Sequence, residues 1–469
     1  MTRWNLGWLI GIPILFIFAF SLMSSVPKVA QDKDYQLMRT FVDVLAEVDS
    51  HYVKKLDDEG KTKLIENMIN GGLEKLDPYS VYMNADEYRH FENQNEGNFG
   101  GVGIQLGLDA KTGILRVNSP MFGTPAYEAG ILAGDLILKI DDRSTEQFRV
   151  NDAIKYIQGE PGTPISMTVL HEGETKPVTI SMKRARIEVP SVLGYKRNKE
   201  NLKEWFFMID ETNKIGYIRI VQFGEKTTSD VRRVLESLQS EGVKGLILDL
   251  RDNPGGLLTA AVDISNMFLN SGTIVSTKDR NNQGRVFEAK SGKALLEPAN
   301  DHPLVILINK NSASASEIVA AALQDNQRAI IVGERSFGKG SVQKVIKMST
   351  NPPTALKLTT DSYWRPSGAN IHRHQDSKDS DEWGVKPNNG FEIPMTDEER
   401  LQYLKYRRDL DVIRMKPAPD ENKIEGKEAK KPNKPFVDRA LEKGLDYLRK
   451  KITKTGALPL EGSSLSIPT

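Results

Sequence analysis

The pattern of apolar and polar positions divides the chain into five stretches. Leu6–Met23 is a run of eighteen residues without a charge, preceded by Arg3. As an α-helix it would rise ~27 Å, close to the ~30 Å hydrocarbon core of a bilayer. A small-x-small cleavage site is poorly matched after it, so residues 1–30 are expected to form an uncleaved transmembrane anchor, with a signal peptide as the alternative. Either one places the rest of the chain outside the cytoplasm, on the periplasmic or cell-envelope side. Residues 31–96 carry helical spacing: Leu37, Phe41, Val44, Leu45 and Val48, then Leu64, Ile65, Met68, Ile69 and Leu73, closed by Asp77-Pro78. This amphipathic arm suits packing or a homodimer.

The texture changes at residues 97–184. Short β-type runs are broken by Gly and Pro, with helix-like pieces at Pro125–Ala129 and Val150–Ile157. They predict a compact β-rich domain. Across 185–395, apolar runs such as IGYIRI, GLILDL, PLVILI and AIIVG alternate with helical segments. That alternation predicts an α/β core with a largely parallel sheet, whose chemistry sits in the loops after the strands. In 396–469 a capping box, Thr396-x-x-Glu399, opens a helix; a Lys/Glu/Pro-rich linker at 416–435 and an amphipathic helix at 436–452 follow.

Charge and composition then remove several function classes. Lys and Arg number 64 against 63 Asp and Glu, so nothing argues for a nucleic-acid partner. The absence of cysteine excludes disulfides, thiol nucleophiles and thiolate metal sites. Of the six histidines, His372 and His374 share a charged loop with Asp376; a structural metal wants about four ligands, so a solvated loop is expected there, and no metal or other cofactor.

The segment 333–343, GERSFGKGSVQ, begins like the nucleotide-binding G-x-x-x-x-G-K. Gly340 stands where that motif needs a metal-binding hydroxyl, and a strand-like VQKVIKM follows in place of a helix. A P-loop NTPase is therefore a remote alternative. Lys339 is better read as a general base, which requires burial to lower its pKa from ~10.4. Gln343, four residues on, could orient the amine. The nucleophile it would serve lies in Asn309–Glu317, NKNSASASE, at a strand–turn–helix junction where the positive helix end favours a reactive serine. The competing explanation is a plain helix start with Ser316 as N-cap. Arg251–Gly256, RDNPGG, could present bare N–H groups to an oxyanion, or could be an ordinary turn.

Together these segments resemble the carboxy-terminal processing peptidases, or tail-specific proteases. The resemblance covers roughly residues 35–395 and rests on LDPYSVYM, FGGVGI, SPMFGTPAYEAGILAGDLILKIDD, DLRDNPGGLL, NKNSASASEIVAAALQD and GERSFGKGSVQ in family order. It implies a multidomain α/β protein. A ClpP/crotonase-like serine protease core would carry an inserted PDZ-like domain, a helical N-terminal arm and C-terminal helices. It implies Ser314 as nucleophile, Lys339 as base and Gln343 as its support. Oxyanion donors would be the N–H of Ala315 and of Gly255 or Gly256. It identifies residues 97–184 as PDZ-like, with Gly100, Gly101, Val102, Gly103 and Ile104 as the loop that holds a substrate's terminal carboxylate. Two features depart from the family: Asn388 follows Gly384-Val-Lys-Pro387 where Asp is usual, and the charged loop 372–382 is long. The expected function is a serine endopeptidase acting on protein C-termini; a catalytically inactive PDZ scaffold is the alternative.

Overall fold

The computed structural model describes residues 33–109, 112–198, 201, 204–296, 302–411 and 436–456. The apolar run 6–23 and the linker 416–435 lie outside the described residues. Among the described residues no helix is long and apolar enough to cross a membrane.

The chain divides into two compact units after Lys75. The first holds helices α1 (Lys33–His51) and α2 (Asp58–Glu74). Asp57 caps α2 by accepting the Gly60 N–H at 2.8 Å, and Lys61 reaches back to Asp49 at 2.8 Å. Much of the apolar stripe of α1, including Leu37, Met38, Val42 and Val44, is exposed.

The second unit opens with β1 (Val81–Met83) and α3 (Ala85–Glu96). The short strand was not expected in a helical arm; it forms because Val81–Met83 pair with Ala355–Lys357 of a strand late in the chain. The β-rich region follows as β2 (Asn98–Gly101), β3 (Ile104–Leu108), β4 (Leu115–Pro120), α4 (Pro125–Glu128), β5 (Leu136–Ile140), β6 (Arg143–Ser144), α5 (Val150–Ile157), β7 (Pro164–Leu170), β8 (Val178–Lys183) and β9 (Ala185–Glu188). Its antiparallel sheet runs β3-β4-β5-β7-β8, with β6 on β5, while β2 pairs β9 separately. Alternate residues of the strands, among them Leu115, Val117, Ile137, Ile140, Ile165, Met167 and Val169, fill one core with Val102, Ala126 and Ile131.

Short strands β10 (Val192–Leu193), β11 (Lys196–Arg197), β12 (Trp205–Phe206) and β13 (Met208–Asp210) lead into the α/β core. There β14 (Ile215–Ile220), α6 (Thr227–Ser240), β15 (Gly245–Asp249), α7 (Leu258–Asn266), β16 (Thr273–Asp279), β17 (Gly284–Glu288), β18 (Leu304–Ile308), α8 (Ala315–Asp325) and β19 (Ala329–Gly333) follow in turn. The order β14-β15-β18-β19 is parallel throughout, with β10 and β13 added antiparallel to β14. Both faces are covered, which is why the strands read as continuous apolar runs. Leu246, Leu248, Leu304 and Ile306 pack against α6, α7 and α8. Ile247, Val305 and Leu307 point the other way, onto Leu441, Leu445 and Leu448 of α10 (Arg439–Gly456). A second, antiparallel sheet runs β1-β21-β16-β17, with β20 (Ser341–Lys347) hairpinned to β21 (Ala355–Trp364). Thr396 and Glu399 cap α9 (Asp397–Asp411) reciprocally, as their spacing predicts. The fold is multidomain α/β, and its loops after β15, β18 and β19 converge at one end of the parallel sheet.

Candidate active site

The turn after β18 is stapled to the turn after β15. Ser312 Oγ donates to the Leu250 carbonyl at 2.8 Å, Asn309 Oδ1 accepts the Asp252 N–H at 3.0 Å, and Ala313 N–H donates to the Asn253 carbonyl at 3.0 Å. This anchorage forces Ser314 into φ 55°, ψ −113°, a conformation L-residues rarely adopt and one that surrounding contacts must hold. Helix α8 begins at Ala315, ahead of the Ser316 N-cap that a plain helix start would use. The N-cap is therefore Ser314; Ser316 lies inside the helix with its hydroxyl donating to the Asn253 carbonyl at 3.1 Å. The Ser314 side chain is buried, and burial raises the pKa of nearby Tyr363 to about 12.

Lys339 follows β19 and precedes β20, so a strand and not a helix comes after the glycine loop. Its amine donates to Gln343 Oε1 at 2.7 Å and lies 4.8 Å from the centre of the Tyr79 ring. Burial lowers its pKa to about 8; the charge of Lys357 acts in the same direction, while Glu317 and Asp77 oppose it. At pH 7.5 about a quarter of such amines would be neutral, against about one in a thousand for a free lysine. The flanking glycine has a steric cause. A Cβ on Gly340 would collide with the backbone of His372, and Arg373 N–H donates to the Gly338 carbonyl at 2.9 Å. The charged loop 372–383 is therefore not merely solvated: its first residues pack against the glycines that flank the lysine. Arg335 ties its far side down through the carbonyls of Asp379, Asp381 and Trp383, with the guanidinium 3.4 Å from the Trp383 ring centre.

Ser314 and Lys339 are joined through a third residue. Glu317 is fully buried and accepts four hydrogen bonds: Ser336 Oγ and Gly338 N–H on Oε1, both at 2.6 Å, and Ser314 N–H and Lys339 N–H on Oε2, both at 2.8 Å. Burial raises its pKa and these donors oppose the shift. No direct hydrogen bond links the Ser314 hydroxyl and the Lys339 amine, which donates instead to Gln343.

The glycine turn lies against the serine. Gly255 has φ 101°, and a Cβ there would fall 2.7 Å from Ser314 Cβ and 2.9 Å from Ala315 N. Its own N–H donates to Asn253 Oδ1 at 2.8 Å. The Gly255 carbonyl accepts from Phe223 and the Leu257 N–H donates to Phe223, so the intervening Gly256 N–H faces away from that strand contact. Below the turn, Arg251 bonds Asp249 at 2.6 Å and Asp438, just ahead of α10, at 2.9 Å; all three are buried. Burial alone would raise the pKa of Asp249, but the Arg251 charge together with hydrogen bonds from Arg251 and Tyr217 outweighs it, and the net shift is downward.

Away from this cluster, Gly100 and Gly101 end β2, Val102 is buried in the β-rich core, and Gly103, at φ 77°, turns the chain into Ile104 at the start of β3. The Val102 and Gly103 carbonyls accept from Ala126 and Met121. Among the described residues, strand β3 ends its sheet, with only β4 beside it.

Several participants are absent from the sequence-predicted set. Glu317 carries a readable signal, because Ser314-x-x-Glu317 has capping-box spacing. Asp77 and Tyr79 lie in the LDPYSVYM segment but nothing local marks them or Thr359 as site residues: they come to the Lys339–Gln343 pair through the pairing of β21 with β1 and with β20. Asn388, at the position where Asp was expected, accepts the Ile331 N–H on Oδ1 at 2.7 Å, a bond that an aspartate oxygen could also accept.

Comparison with known proteins adds an independent line. Residues 214–389 match the model of peptidase family S41, and residues 116–170 match a PDZ domain. The first match spans the Ser314, Lys339 and Gly255 turns, whereas the second begins after the Gly100–Ile104 loop. The chain is 40% identical over 370 residues to a carboxy-terminal-processing protease of Bartonella bacilliformis, covering 76% of this chain and 79% of that one. It is 33% identical over 360 residues to the carboxy-terminal processing protease CtpA of Bacillus subtilis, covering 76% and 69%. Among solved structures, a photosystem II D1 C-terminal processing protease aligns at 25% identity and a TM-score of 0.43, covering 79% of this chain and 96% of that one.

Proposed function

The chain belongs to peptidase family S41, with the carboxy-terminal-processing proteases, and from this premise we propose that it cleaves peptide bonds with Ser314 as nucleophile and Lys339 as general base. The observation that carries this is the setting of Lys339: its half-buried amine, with the pKa lowered to about 8, is held by Gln343, and its backbone N–H shares the Glu317 carboxylate with that of Ser314. The neutral amine takes the Ser314 proton as Oγ attacks the scissile carbonyl, and the ammonium then protonates the leaving amine. For that step the Ser314 hydroxyl must close onto the Lys339 amine; such bonds often tighten only around substrate. Water, deprotonated by the same lysine, releases the acyl group as a carboxylate. The oxyanion is held by the Ala315 N–H at the start of α8 and by the Gly256 N–H, since that of Gly255 is engaged with Asn253.

The β-rich region delivers the substrate. A peptide C-terminus adds as a strand to β3, with its carboxylate at the Gly100, Gly101, Val102, Gly103 and Ile104 loop. The uncharged run 6–23 supports an anchored or exported protein working outside the cytoplasm, and the exposed apolar stripe of α1 supports a homodimer.

Incubation with an unfolded protein bearing a free C-terminus tests the reading. Wild type is expected to cut it, with Ser314→Ala and Lys339→Ala inactive and EDTA without effect. Full cleavage by Ser314→Ala would end the dyad, and wild type that binds without cutting would favour a PDZ scaffold.

A further inference from the structure

Resting on that dyad, we propose that Thr359 and Asp77 are positioning residues that decide which end of the Gln343 amide faces Lys339. Gln343 turns Oε1 to the lysine amine at 2.7 Å while Nε2 donates to Ser341 Oγ at 2.9 Å and to Thr359 Oγ1 at 3.1 Å. Flipped, the amide would set its own N–H groups against a donor. What forbids the flip is the direction of a single proton. A threonine hydroxyl has one hydrogen, and Thr359 Oγ1 lies 3.1 Å from Asp77 Oδ1. An ionised carboxylate only accepts, so it takes that hydrogen, and the lone pair left on Oγ1 can receive only the NH2 end of Gln343.

Asp77 is well fixed for this task. Tyr79 N–H and Ser80 N–H donate to Oδ1 at 2.7 and 2.8 Å, and Ser80 Oγ donates to Oδ2 at 2.7 Å. Ser80 Oγ in turn accepts the Thr359 N–H at 3.0 Å, locking the segment to the middle of β21. Tyr79, between them, places its ring beside the lysine amine. A neutral lysine has two hydrogens and one lone pair. Committing one hydrogen to Gln343 Oε1 restricts where the lone pair points, and the remote carboxylate thereby sets the direction of the base.

The test is the pH profile of covalent modification of Ser314 by a fluorophosphonate, which reads nucleophile and base without a peptide substrate. Thr359→Val keeps the shape and removes the hydroxyl. Its plateau rate is expected to fall roughly 10- to 100-fold, part of the factor a positioned base supplies. Its inflection should move to lower pH, because the ammonium loses an oriented acceptor. Thr359→Ser should restore both. Asp77→Asn, which keeps the acceptor of the turn and removes its charge, should shift the inflection down with a smaller loss of rate. A Thr359→Val protein with the wild-type plateau and inflection overturns the proposal. Lys339→Ala separates the failures: if it reacts like wild type, the dyad falls and the positioning role with it. If it is inert while Thr359→Val behaves as wild type, only the positioning role falls.

Discussion

The backbone amides of Ser314 and Lys339 meet on one oxygen, Glu317 Oε2, each at 2.8 Å. A single buried carboxylate thus holds the strained serine turn and the lysine loop in register, and its other oxygen holds Ser336 and Gly338. Glu317→Gln offers one acceptor atom where four donors converge and turns an N–H group toward two of them. Leaving buried donors unpaired costs about 1–3 kcal/mol each. The substitution is expected to lower stability by about 2–4 kcal/mol in denaturant unfolding and peptide cleavage by at least tenfold.

Lys339 should act against stability while it serves chemistry. Its folded pKa is about 8 against 10.5 unfolded. Below about pH 8 both states hold the proton and the cost of burying the cation is fully present. Between about 8 and 10.5 the unfolded state binds more protons, so stability rises with pH until the cost is gone. Lys339→Met should therefore stabilise the protein by about 1–3 kcal/mol at pH 7, the lower end reflecting partial solvent exposure, and by little at pH 10.5. Unfolding curves at the two pH values check this, with cleavage abolished at both.

Gly255→Ala places a methyl group 2.7 Å from Ser314 Cβ, on a backbone at φ 101°. The turn must shift away from the serine. Cleavage is expected to fall by roughly 100-fold or more, in keeping with loss of oxyanion-site geometry. Far-ultraviolet circular dichroism should be unchanged, because the helices and strands lie outside the turn.

If the loop from Gly100 to Ile104 holds a carboxylate, the substrate's C-terminus should matter more to binding than to chemistry. Amidating the C-terminus of a peptide substrate is expected to raise KM several-fold with kcat largely kept. Equal KM values for acid and amide would remove that loop from substrate capture.

How far the sequence carried this depended on whether the partners were local. The parallel core was legible because strands such as Leu304–Ile308 are apolar on both faces, and the loops bearing Ser314 and Lys339 could be read from glycines and small residues beside strand ends. The helix start at Ala315 was displaced because Ala and Ser carry little apolar signal, although Glu317 stood at capping-box spacing. Strand Val81–Met83 and the Asp77–Thr359 contact were illegible, since each depends on a partner more than 270 residues away. The packing of His372 and Arg373 onto the lysine loop was hidden in the same way: a run of charged residues reads as solvent-exposed until its backbone is seen against Gly340.

The central claim is that Lys339 is a base because its surroundings remove its charge near neutral pH. Nuclear magnetic resonance titration of its ε-carbon in selectively labelled protein, assigned by comparison with Lys339→Met, measures this directly. The account predicts a pKa near 8. A value at the 10.5 of an ordinary lysine would contradict it.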